Sequence, residues 1–155
     1  MKSLLAVDLG LRTGLALYGE DGRLAWYRSH NLGTTDRLRR AAHGILDGIP
    51  DLVALVIEGG GNLAAVWEKE AEQRGIQVCR LGAETWRELL LFARERRTGP
   101  EAKKHAGVLA RRIIIWSGAA RPSSLRHDAA EAILIGLWGV LRLGWLTEVP
   151  SELRR

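Results

Sequence analysis

The sequence predicts an α/β fold, a mixed five-stranded sheet flanked by helices. Three observations carry this reading. Two strand-like segments in the N-terminal region meet at an Asp-Gly turn, Asp21-Gly22, which is a strong hairpin signal. The run LVALVI, Leu52 to Ile57, has no polar residue, as expected of a central strand covered on both faces. The segments that follow change to helical spacing, with one more short strand among them.

Taken in order, Ser3 to Asp8 reads as a buried strand and Gly14 to Tyr18 as a second. Arg23 to Ser29 alternates, placing Leu24, Trp26 and Arg28 on one face of a third strand. Thr34 or Thr35 caps a helix with the stripe Leu38, Ala41, Ala42 and Ile45, which Pro50 stops. Leu52 to Ile57 is the fourth strand. Asn62 to Arg74 is a helix closed by Gly75, and Gln77 to Leu81 is the fifth strand. TWRELLL opens another helix through a capping box, Thr85 to Glu88. RERRTGP, residues 94–100, is a loop, Glu101 to Trp116 a helix, and His127 to about Trp145 the last helix. Residues 146–155 form a tail, in which VPSELRR reads as frayed.

At 155 residues the chain fits a single domain, 1–155, with enough length for a core. A hydrophobic share of 46% against 26% charged residues excludes a disordered polypeptide. The lone Cys79 excludes an internal disulfide framework and fits a reducing cytosol. MKSLLAV is too short an apolar run for a signal sequence. The longest such run, Ala132 to Leu141, is well below the roughly 18 residues of a membrane span. The charge is uneven. Residues 80–112 carry nine Lys/Arg against four Asp/Glu, whereas residues 1–79 carry nine against ten. A concentrated positive segment fits a polyanion such as nucleic acid, and equally a solvated surface.

Four carboxylates stand where an α/β sheet gathers function. LLAVDLG ends a strand in Asp8, and LVALVIEGGG ends one in Glu58. Asp128 and Glu131 lie three apart at the start of the last helix and share a face. Asp-x-x-Glu at a helix start also suits a capping box, so this pair alone leaves both readings open. Together, the four exceed what capping needs. Convergent carboxylates repel unless protons or cations neutralise them. Oxygen-only ligands select Mg²⁺ or Mn²⁺ over zinc. Two such ions about 4 Å apart clamp both oxygens of a phosphodiester displacement. The chemistry expected is metal-dependent phosphodiester hydrolysis.

AVDLGLRTGLALYGEDG, VIEGGGN, TWRELL and HDAAEAILIGLWG, in that order and spacing, resemble the RuvC-like Holliday junction resolvases of the RNase H-like superfamily. The resemblance spans Leu4 to about Val140. It implies an RNase H-like nuclease domain in which Asp8 bridges two Mg²⁺ ions, with Mn²⁺ able to substitute. Glu58, Asp128 and Glu131 complete the ligands. It implies cleavage of four-way DNA junctions, action as a two-fold homodimer, and a place in the cytoplasm with the nucleoid. Arg12, Lys103, Lys104 and Arg111 are the expected nucleic-acid contacts. Lys103 and Lys104 stand where resolvases carry basic residues near the scissile strand, although a Lys-Lys pair is also an ordinary solvated one. His127 reads either as positioning a water or phosphate or as a histidine near a helix cap.

The chain departs from the family pattern in lacking the proline often found after the first aspartate, and in having Glu131 where aspartate is frequent. GGGN offers no aromatic wedge after Glu58, and Leu63 is the nearest apolar candidate. Ala64, Trp67 and Ala71 form a stripe that suits either core or a dimer seam. Trp67, Trp86, Trp116 and Trp138 fit core positions. Three other readings compete with this one. A YqgF-type RNase H-like nuclease acting on RNA usually lacks the glutamate. An actin-like nucleotide-binding protein would need about twice this length. A non-catalytic nucleic-acid-binding domain would need no divalent ion.

Overall fold

The computed structural model describes residues 1–154. Five strands, β1 (Ser3–Asp8), β2 (Arg12–Gly19), β3 (Leu24–Asn31), β4 (Leu52–Glu58) and β5 (Gln77–Leu81), form one sheet in the order β3-β2-β1-β4-β5. β1, β2 and β3 pair antiparallel, whereas β4 pairs parallel with both β1 and β5. The helices are α1 (Thr35–Asp47), α2 (Gly61–Gln73), α3 (Ala83–Leu90), α4 (Gly99–Ser117) and α5 (His127–Arg142). The mixed sheet flanked by helices is therefore the fold expected from the sequence.

The sheet divides the core in two. On one face, Leu5, Val7, Leu15, Leu55 and Ile57 pack against Leu38, Ala42 and Leu46 of α1 and Ala64, Trp67 and Ala71 of α2. On the other, Leu4, Ala6, Ala16, Tyr18, Ala54 and Val56 pack against α3, α4 and α5. From Leu4 on β1 and Ala54 on β4, past a register shift, even-numbered residues point to the second layer, and so Asp8 and Glu58 do too. Ala64, Trp67 and Ala71 are fully buried within this chain, so the stripe is core and not a seam between copies. Leu63 packs against the same core, and Trp67 and Trp86 are fully buried.

Three local expectations are corrected. Leu24 and Trp26 lie on opposite layers, because a bulge places Tyr18 opposite Leu24 and Leu17 opposite Trp26, with Ala25 as the extra residue. α3 begins at Ala83 after Gly82, so Thr85 sits inside the helix and forms no capping box. The tail is docked. Ser151–Arg154 make a 3-10 turn, Leu153 is 1% exposed, and Arg112 donates to the Leu153 carbonyl at 3.2 Å. Burying one leucine stabilises by about 1.5–3 kcal/mol, enough to hold a segment that composition marked as free.

α5 lies unusually close to the sheet. A side chain at Gly14 would strike the Asp128 carbonyl, and one at Gly136 would strike the Tyr18 ring. Both glycines therefore act through the space they leave. Tyr18 also donates its hydroxyl proton to the Ile133 carbonyl, which ties β2 to α5. Among the described residues, no helix is long and apolar enough to cross a membrane.

Candidate functional site

Asp8 and Glu58 are directly opposite each other at the C-terminal ends of parallel neighbours β1 and β4. Adjacent strands run about 4.8 Å apart, so two same-face carboxylates at matched register must meet. Beyond Glu58 the chain turns at Gly59, whose φ of 113° is open to glycine and not to bulkier residues. α5 crosses the same face and delivers Glu131. One oxygen from each of Asp8, Glu58 and Glu131 lies within 4.8 Å of the others.

Asp128 is not part of the triad. Its Oδ2 accepts a 2.7 Å hydrogen bond from the Ser29 hydroxyl at the end of β3, and its Oδ1 is buried with no hydrogen-bond partner. The two helix acids are not a capping box, because Arg126 is the N-cap residue and makes no side-chain cap bond.

Neighbours shape the triad. The Trp86 indole donates a 2.7 Å hydrogen bond to Glu58 Oε1. His127 Nε2 lies 3.4 Å and Arg87 Nη2 3.7 Å from Glu131 Oε1. Burial first, then hydrogen bonding with Glu58 and repulsion from Glu131 and Glu58, pushes the Asp8 carboxyl from 3.8 up to about 9. Without a cation, the cluster holds a proton at neutral pH.

Solved structures share this fold. Thermus thermophilus RuvC in complex with Holliday junction substrate has a TM-score of 0.67 to this chain. It is 17% identical over 93% of this chain and 97% of that one. A second Thermus thermophilus RuvC structure gives 0.66 at 18% identity, covering 92% and 96%. The fold is RuvC-like. No protein-family model matches the chain, and no curated protein matches it.

On this RuvC-like fold, the donor set suits a hard divalent cation. The triad offers only carboxylate oxygens, which such ions prefer. Ligands on one octahedral ion with bonds of about 2.1 Å lie within about 4.2 Å of each other, a spacing open to oxygens that all lie within 4.8 Å of one another. The unpartnered Asp128 oxygen adds a buried acceptor three residues before Glu131 on the same helix.

Arg12, Lys103, Lys104 and Arg111 are exposed, as nucleic-acid contacts must be. Arg111 lies near Tyr27 on β3. Arg87, next to Glu131, also lines a cleft of about 340 Å³ in which Arg96, Arg97 and Thr98 stand with Glu84 and Glu88. Trp86, Arg87 and Ser29 were not read from the sequence as parts of the site. One signal was available for the first two: β5 borders β4, and Leu81 sits opposite Glu58, so the helix that follows β5 must start beside that glutamate. Ser29 carried a fainter one, a small hydroxyl at the end of a strand.

Proposed function

We propose that the protein is a divalent-metal-dependent endonuclease that hydrolyses phosphodiester bonds in branched DNA, with four-way junctions as the substrate. The observation that carries this reading is the convergence of Asp8, Glu58 and Glu131 from β1, β4 and α5. The RuvC-like fold supports the substrate class, since one similar structure is a RuvC in complex with a Holliday junction.

Asp8, Glu58 and Glu131 would hold the cation, Mg²⁺ or Mn²⁺, and Asp128 would offer its free oxygen to a second one. When bound, such ions supply Lewis acidity to the scissile phosphate and a water that is nucleophilic at neutral pH. Asp8 must surrender its proton as the site fills, because ligating carboxylates are ionised. Arg87 neutralises part of the charge on Glu131, and the cleft it lines, where three arginines outweigh Glu84 and Glu88, would receive the phosphodiester backbone. Arg12, Lys103, Lys104 and Arg111 extend that contact, so binding weakens steeply with salt. A four-way junction is cut symmetrically in two strands, which calls for a two-fold homodimer. The working compartment is the one that holds DNA, the cytoplasm.

The test is an end-labelled four-way junction incubated with Mg²⁺, Mn²⁺ or EDTA, comparing the wild type with Asp8→Asn. Paired symmetric nicks with either ion, absent in EDTA and in the variant, are expected. Cleavage of RNA in place of the junction would move the substrate to RNA. Junction retention without cleavage, unaffected by EDTA or by the variant, would make the protein a binding domain and end the enzyme reading.

A further inference from the structure

Trp86 is fully buried in the layer formed by α3, α4 and α5, yet its one polar atom is directed at the site. A buried indole N–H needs an acceptor, and here that acceptor is Glu58 Oε1 at 2.7 Å. Tryptophan donates and never accepts, so it can hold a carboxylate oxygen without competing for a cation. We propose that Trp86 is a positioning residue that fixes Glu58 for metal binding, an inference that rests on the function proposed above.

The physical case has three parts. Glu58 ends a strand and carries a flexible side chain, which would otherwise sample several rotamers. The ring that restrains it is itself immobile, held in the same core cluster as Leu90, Ile113 and Ile133. One hydrogen bond occupies one lone pair of Oε1, leaving the rest of the carboxylate for Asp8 and the cation. The packing of α3 thereby sets the direction in which a glutamate on β4 presents its charge. Residues that orient ligands in this way govern metal affinity by about 10–100-fold.

Trp86→Phe removes the donor and keeps most of the apolar volume. Titration of Mg²⁺ and Mn²⁺ into wild type and variant by calorimetry should show at least about tenfold weaker binding in the variant. Junction cleavage should regain most of its rate when Mg²⁺ is raised, so the metal concentration for half-maximal rate moves and the plateau does not. The wild-type protein supplies a readout that needs no variant. The Trp86 indole N–H resonance, assigned through the backbone, should shift on adding MgCl₂, because its acceptor changes charge environment. An indole resonance that stays put while calorimetry records binding overturns the proposal, as does unchanged affinity in Trp86→Phe. A wild type that binds neither ion overturns both this proposal and the function on which it rests.

Discussion

Asp8 is held near 9 by burial and by two acidic neighbours, and this has a consequence for stability. The unfolded chain releases that proton near 3.8, whereas the folded chain keeps it to about 9. Over that window the folded state binds more protons, so Asp8 makes stability fall as pH rises. Melting curves of the cation-free protein should show this decline between pH 5 and 9, and Asp8→Asn should remove its contribution. Mg²⁺ should raise the wild-type melting temperature more at pH 8 than at pH 6, because loading expels the proton. Asp8 and Glu58 were legible in the sequence because two apolar strands each end in a carboxylate and an acidic pair follows on the last helix, although one such strand alone has ordinary explanations. The roles of Asp128 and Glu131 were less so. Spacing of three puts both on one face, but the angle at which α5 crosses β1 and β2 decides that Glu131 reaches the triad and Asp128 meets Ser29. The strand order brings α3 to Glu58, but that Trp86 is the residue bonding to it depends on how that helix packs, which the sequence does not show.

At the scale of elements, the close seating of α5 on β2 is the critical contact. Gly14→Ala would drive a methyl group into the Asp128 carbonyl, and backbone on both sides cannot yield cheaply. The expected result is a destabilisation of about 1–3 kcal/mol, as for overpacked cores. Weakened Mg²⁺ binding should accompany it, because Glu131 rides on the displaced helix. Denaturant unfolding and calorimetry on the same variant test both effects. Most elements were readable: apolar runs, the Asp-Gly turn and helical spacing located all five strands and most helices, whereas α3 was placed by a capping box that does not form. The face assignment of Leu24 and Trp26 failed for a definite reason. Alternation assumes an unbroken register, and one extra residue at Ala25 reverses every side chain beyond it.

For the whole molecule, the C-terminal segment proves structural. Leu153 is buried against α3 and α4, and Arg154 donates to the carbonyls of Leu90 and Leu89 at the end of α3. Leu153→Ala should cost about 2–5 kcal/mol, measured by thermal melting, the range for a buried leucine. A short tail of mixed composition gives no periodic signal, so this docking was not legible. The sheet also separates the molecule into two unequal halves. All three convergent carboxylates project into the layer with α3, α4 and α5. The groove of about 630 Å³ between α1 and α2, and the Arg74 links to Asp47 and Glu70, lie on the opposite side. Damage there leaves the three carboxylates in place unless it loosens the fold. Inactivating changes in α1 and α2 should therefore be rescued by cooler growth or by a stabilising background, while those around Glu58 and Glu131 should resist every such remedy.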